Sequence, residues 1–175
     1  MIKELEDYTW FPKVLRRWQL QFVGAVSVWT KLYQPLVAVV QQMIEENKLI
    51  ALQDVCSGSG KPAVYIHEQL KKTVPLLLSD QFPEEHFINK PGIAYSVNSV
   101  DVLEMQTLTR TSYTMFNAFH HFNEIQQKAF VQKMADNNAP VLIAEILEPG
   151  VFNVVKIIFT ATVIQLLTAP FKLSA

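Results

Sequence analysis

The sequence predicts an α/β fold, a doubly wound and mostly parallel sheet with a helical N-terminal extension. Three observations carry this. Residues 1–48 place apolar side chains at helical spacing. From residue 49 onward short apolar runs alternate with helical segments, the pattern of parallel strands joined by right-handed crossovers. The first of those runs ends in an acid and a small-residue turn, Asp54-Val55-Cys56-Ser57-Gly58-Ser59-Gly60. Glycine lets a ligand approach the backbone closely, and a strand feeding a helix through such a loop points free N–H groups outward. The turn is therefore read as a nucleotide-cofactor loop.

Each element has its own signal. Trp10-Phe11-Pro12 opens a helix, since proline suits a first turn. Trp18, Phe22, Ala25, Trp29 and Tyr33 then recur at helical spacing. This aromatic stripe is expected to pack the helix onto the domain, or alternatively to form a lid lining an apolar pocket. Lys13, Arg16 and Arg17 fall on its polar side and are expected to be solvated. A second helix is expected over residues 35–47. Strand one is expected at 49–55, the helix after the loop at 62–72, and strand two at 75–78. Residues 81–91 hold two prolines and three charged residues and read as an irregular connection or a short helix. Strand three is expected at 93–97 and strand four at 113–119. Asn123 is expected to cap a helix reaching residue 137, with strand five at 140–146. This divides the chain into an extension or lid (1–48), a cofactor-binding core (49–148) and an apolar C-terminal helix and tail (149–175).

Composition bounds the function. The chain has 175 residues, half of them hydrophobic and 18% charged, which suits one packed domain. A formal net charge of −1 supplies no electrostatic footprint for nucleic acid. The single cysteine, Cys56, allows no internal disulfide and fits a reducing compartment such as the cytoplasm. Residues 1–8 carry no apolar run of the kind a signal peptide needs.

Three ligands compete for the loop. A phosphate-gripping loop of the G-x-x-x-x-G-K-[ST] kind fails twice, because Pro62 follows Lys61 and Val55 stands where the first glycine belongs. The dinucleotide pattern G-x-G-x-x-G/A is met by Gly58, Gly60 and Ala63, with Asp80 about 20 residues on, where a ribose-binding acid belongs. This keeps an NAD(P)-dependent oxidoreductase open as an alternative.

The whole stretch from Asp54 to Gly60 resembles motif I of the class I S-adenosylmethionine-dependent methyltransferases, with Cys56 in the first small position. The resemblance runs on through about residues 49–148. Asp80 falls at the family's ribose-binding acid after strand two. Asp101, with Val102 behind it, falls at the acid after strand three that meets the adenine amine. Asn117 to Phe122 fall where the family places its substrate side, around the end of strand four. The resemblance thus implies a Rossmann-like methyltransferase fold, S-adenosylmethionine as cofactor, and Asp54, Cys56, Ser57, Gly58, Gly60, Asp80, Asp101, Val102 and Asn117 around it. Asp54 has a second reading, as a brace for the loop that does not touch the ligand.

Methyl transfer draws much of its rate from holding the acceptor close and aligned. A base helps where the acceptor must lose a proton, and His120 and His121 are the candidates. Adjacent residues on a strand end face opposite ways, so only one of the pair is expected to face the site, and packing is the competing reading. No Cys or His spacing suits zinc, so no metal is expected.

The family's strands six and seven have no counterpart in this sequence. Residues 151–168 are instead nearly all apolar, with Asn153, Lys156 and Thr160 as a short polar stripe. They are expected to form a helix buried on the sheet, or alternatively a peripheral membrane contact. Strand five is then an edge strand, and edges are seldom left uncovered, so the sequence is expected to be either a truncated form of a longer enzyme or a protomer that covers this edge by self-association. The expected function is methyl transfer to a small apolar acceptor. The alternative of the same fold is an inactive cofactor-binding or self-associating protein.

Overall fold

The computed structural model describes residues 10, 12–83 and 90–145. Its elements all fall within one compact unit, residues 1–144. Two helices come first, α1 (Lys13–Trp29) and α2 (Leu36–Glu46), and the core follows as β1 (Ala51–Val55), α3 (Lys61–Gln69), β2 (Leu76–Ser79), β3 (Ile93–Tyr95), β4 (Thr111–Phe116), a 3₁₀ turn (Phe119–His121), α4 (Glu124–Asp136) and β5 (Val141–Ala144). The strands form one sheet in the order β3-β2-β1-β4-β5, and every neighbouring pair is parallel. The doubly wound α/β class read from the sequence is therefore the observed one. The apolar segment 151–168 and most of the connection at 81–91 lie outside the described residues.

Two apolar cores sandwich the sheet. On one face Val40 and Ile44 of α2 and Ala63, Val64 and Ile66 of α3 meet Leu52, Leu76 and Leu78. On the other, Phe130 and Met134 of α4 meet Val55, Tyr113 and Met115. Side chains alternate across a strand, so β4 sends Tyr113 and Met115 to one core and Phe116 to the other. All six residues of β4 are buried, as a parallel strand covered on both faces requires. At the N-terminus of α4, Asn123 accepts from the Gln126 N–H while the Gln126 side chain accepts from the Asn123 N–H, a reciprocal cap.

Helix α1 departs from expectation. Of the aromatic stripe only Tyr33, in the turn beyond the helix, is buried, set edge-on against Phe116. Trp18, Phe22 and Trp29 are 52%, 41% and 85% exposed. The stripe thus faces outward, and the side that meets the core is made of small and polar residues. Ser27 is buried and donates to the Gly24 carbonyl at 2.8 Å, and the Lys61 ammonium reaches the Gln21 carbonyl at 3.0 Å. Periodicity marks a stripe, but which side of a helix faces the core depends on what the core offers. Here it offers the glycine loop, and only a residue without a side chain fits against it.

A Cβ at Gly24 would stand 2.4 Å from Ser59 Oγ, with two Lys61 carbons at 3.1 and 3.2 Å. Gly24→Val is expected to lose roughly 1–3 kcal/mol of stability in urea unfolding through overpacking. Gly24→Ala combined with Ser59→Gly is expected to cost less than Gly24→Ala alone, because the nearest obstacle is gone.

Candidate functional site

The strand order reverses between β1 and β4, and the carboxyl ends of strands at such a switch point are where open α/β sheets hold ligands. The glycine loop leaves the sheet there. Its conformation explains its composition: Gly58 and Gly60 have φ of 49° and 66°, left-handed values that glycine adopts without strain. Gly60 caps α3, and Pro62 sits in that helix's first turn. Two non-glycine residues share the left-handed region at the ends of adjacent strands, Cys56 after β1 (φ 54°) and Asn117 after β4 (φ 52°). Such strain persists where the surroundings over-determine it and clusters at functional sites.

Under the loop lies Asp54, only 2% exposed. Register pairs it with Thr114 across the β1–β4 ladder, and the Thr114 hydroxyl donates to its carboxylate at 2.7 Å. The Asp54 carbonyl accepts from the Ser57 and Ser79 hydroxyls at 2.8 and 3.1 Å. Burial pushes the carboxyl up to about 7, against the lowering effect of the Thr114 and Ser57 hydrogen bonds and with a further rise from the charge of Asp80. Asp54 thus lies beneath the loop, its carboxylate on Thr114 and its carbonyl on the Ser57 hydroxyl.

Asp80, directly after β2, holds the loop from the side. One of its oxygens accepts from the Gly58 N–H and the other from the Phe82 N–H, both at 2.8 Å. The Tyr95 hydroxyl at the end of β3 donates to the Gly58 carbonyl at 3.0 Å. Ser57 ties the loop to β2, its N–H on the Ser79 carbonyl and its hydroxyl accepting from the Ser79 N–H. Asp101 lies six residues beyond β3 in an exposed turn, where its side chain accepts from the Leu103 N–H at 2.8 Å. The Val100 N–H on the Asp80 carbonyl keeps this turn near Asp80, and Val102 behind it is buried. Cys56 lies within reach of all three acids: burial first, then the charges of Asp80, Asp54 and Asp101, pushes its thiol up to about 12. It is an unreactive thiol at neutral pH.

The structure thus brings Asp54, Cys56, Ser57, Gly58, Gly60, Asp80 and Asp101 to one end of the sheet. Asn117 stands at the end of β4, its N–H on the Ala144 carbonyl at 2.8 Å. The histidine pair is a correction. Strand β4 stops at Phe116, and His120 and His121 lie on the 3₁₀ turn with their rings 4.2 Å apart, so they stack instead of pointing apart. A cleft of about 620 Å³ lined by Phe119, Gln127, Lys128 and Val131 opens from that turn. Among the described residues no group of three or more His, Cys, Asp or Glu side chains could hold a metal. Sequence reasoning missed Thr114, Ser79, Tyr95 and Gly24. Only Thr114 had a visible signal, a polar residue between the apolar Tyr113 and Met115.

No family profile matches the chain, and no curated protein matches it in sequence. Among solved structures the fold is similar to that of human N-acetylserotonin methyltransferase in complex with SAM, with a TM-score of 0.53 at 12% identity. The likeness covers 73% of this chain and 37% of that enzyme, so this chain matches little more than a third of its length. It shows the fold alone: an all-parallel five-stranded α/β sheet of the Rossmann-like kind.

The raised Asp54 sets a pH dependence. The folded chain holds this proton up to about pH 7, while a free aspartate, at 3.8, loses it earlier. Between those values the folded state binds more protons, so Asp54's contribution to stability falls as pH rises from about 4 to 7. Asp54→Asn is expected to be more stable than the parent at pH 8, by at most on the order of 4 kcal/mol. The gap should close below pH 4, as urea denaturation across that range would read.

Proposed function

We propose that the chain binds S-adenosylmethionine at the carboxyl ends of β1, β2 and β4 and transfers its methyl group to a small, apolar acceptor. The observation that carries the reading is the glycine loop at the switch point with acids gathered around it. The similar solved structure, a methyltransferase in complex with SAM, supports it through fold. The residues present suit the ligand. A carboxylate offers about four lone-pair sites, so Asp80 can keep its two backbone donors and still accept ribose hydroxyls. Asp101 is exposed and near enough to take an adenine amine, with Val102 as apolar backing. Gly58 and Gly60 leave room against the loop backbone for the methionine end.

Charge separates this reading from the dinucleotide one. The loop's own cation, Lys61, is held by the Gln21 carbonyl, while Asp80 and Asp101 place negative charge beside the glycines. That field opposes a pyrophosphate and favours a sulfonium cation.

S-adenosylmethionine supplies an electrophilic methyl carbon and, once that carbon is transferred, keeps the carbon–sulfur electron pair as a thioether. The chain's part is to bind, to align the acceptor on the β4 side near Asn117, and to take a proton where the acceptor carries one. His120 or His121 takes that last role through the ring that faces the acceptor. A second reading, an assembly protein that has lost turnover, draws on β5. Among the described residues this strand pairs only with β4 and is half-buried along its length, an edge that a second copy could extend.

Calorimetry with S-adenosylhomocysteine and with NAD tests the assignment: the first is expected to bind and the second not. Asp80→Ala is expected to weaken S-adenosylhomocysteine at least tenfold, about 1.4 kcal/mol. Unchanged affinity would assign Asp80 to the loop alone, and binding of NAD only would replace the methyltransferase reading with the oxidoreductase one.

A further inference from the structure

The two faces of the sheet are covered unequally. One carries α2 and α3, whereas the other carries α4 and the connection from β3 to β4, residues 96–110, which holds no helix. Parallel strands are usually joined by a crossover helix that covers the face it crosses. Without one, the β2–β3 side of this face is thinly covered: Leu77 is half-buried and Ala94 is exposed. Register sets Ala94, Leu77, Gln53 and Tyr113 in one cross-strand row, so these side chains share the face. Tyr113 is buried with Phe130 and Met134 of α4. Beyond it a cavity of about 360 Å³ opens, lined among the described residues by Ala51, Gln53, Leu77, Ala94, Leu108 and Thr111.

We propose that this cavity binds a small neutral molecule with an apolar body and an N–H or O–H donor, held by the amide oxygen of Gln53. Gln53 is only 7% exposed, and its hydrogen bonding fixes which way the amide faces. The Ser79 hydroxyl donates to the Asp54 carbonyl at 3.1 Å, so toward Gln53 it acts as an acceptor and takes the Gln53 amide N–H at 3.2 Å. The amide oxygen is thereby turned away from Ser79, and no group among the described residues donates to it. An oxygen buried to this degree costs free energy until it accepts a hydrogen bond. The other polar side chain in the wall, Thr111, already donates to the Thr109 carbonyl and is left as an acceptor too. The cavity therefore asks for a donor. Among the described residues its wall holds no ionisable side chain, so a charged ligand would meet no counter-charge. The volume suits a small molecule, and it is less than the roughly 420 Å³ of a single helical turn, which excludes a docked helix. Ala51, Pro75 and Gly92 place the cavity toward the amino ends of the strands, whereas the glycine loop leaves their carboxyl ends. The inference is thus independent of the methyl-transfer reading.

The probe is p-cresol, an apolar ring with one O–H, set against its methyl ether, which keeps the ring and loses the donor. Each would be titrated into the full, isotope-labelled chain and followed by amide NMR. At about 1 mM p-cresol is expected to shift the Gln53 side-chain amide and the Leu77 and Ala94 N–H signals in a saturable way. The methyl ether is expected to bind about tenfold more weakly or worse, because it leaves the Gln53 oxygen covered and unanswered. Gln53→Leu keeps the bulk and removes the oxygen, and is expected to bind the two probes alike. If that variant loses its circular dichroism, Ala94→Phe at an exposed position fills the cavity instead and is expected to lower p-cresol affinity by about tenfold or more. Equal affinity of the parent for the two probes would overturn the proposal. So would p-cresol shifts confined to the cleft at Phe119 and Val131, or no shift at Gln53 and Ala94.

Discussion

Asp54 is enclosed between β1 and β4, where the Thr114 hydroxyl is its side-chain partner, and the glycine loop rises from the next residues. The rest of the site depends on this contact. A buried carboxyl is tolerated only when hydrogen-bonded or neutral, and here it is both supported by Thr114 and pushed toward the neutral form by burial. That ties the base of the loop to the one place in the sheet where the strand order turns. From there Ser57 reaches β2, Asp80 reaches back to Gly58, and Tyr95 closes the far side through the Gly58 carbonyl. Three strands thus set the shape of one loop, and left-handed residues at Cys56 and Asn117 are held in the same frame.

This bracing gives the acids separate tasks. Asp54 lies buried beneath the loop. Asp80 is shared, holding the loop by one oxygen and the start of the next segment by the other. Asp101 is exposed, and its turn is pinned to Asp80 through the Val100 N–H. Acids of one residue type along successive strands therefore differ in burial and in the groups they hold. Helix α1 joins the same frame through Gly24 and Lys61, so the extension is coupled to the loop while its aromatic side is left outward.

The alternation of apolar runs and helical segments was enough to read the sheet class, because parallel strands buried on both faces need apolar stretches such as residues 76–78 and cannot hide them elsewhere. The glycine loop was legible for a similar reason: left-handed φ at residues 58 and 60 leaves few residue types to choose from. Asn123 as a cap was legible because its bond is local. Strand ends were less so. The fourth strand was expected to run to Phe119, yet it stops at Phe116, where Asn117 takes a left-handed turn that leads into the 3₁₀ segment carrying both histidines.

By itself, then, the sequence determined what short-range chemistry dictates: the order of elements, the loop and its glycines, and the set of acids following the strands. Only the tertiary structure decided how these face one another. The pairing of Asp54 with Thr114, 60 residues apart, follows from strand register, which no local pattern encodes. The stacking of His120 on His121 follows from a turn where a strand was expected. The outward aromatic side of α1 follows from the loop it packs on, since periodicity sets the angle between the two sides of a helix and leaves open which of them the core will accept.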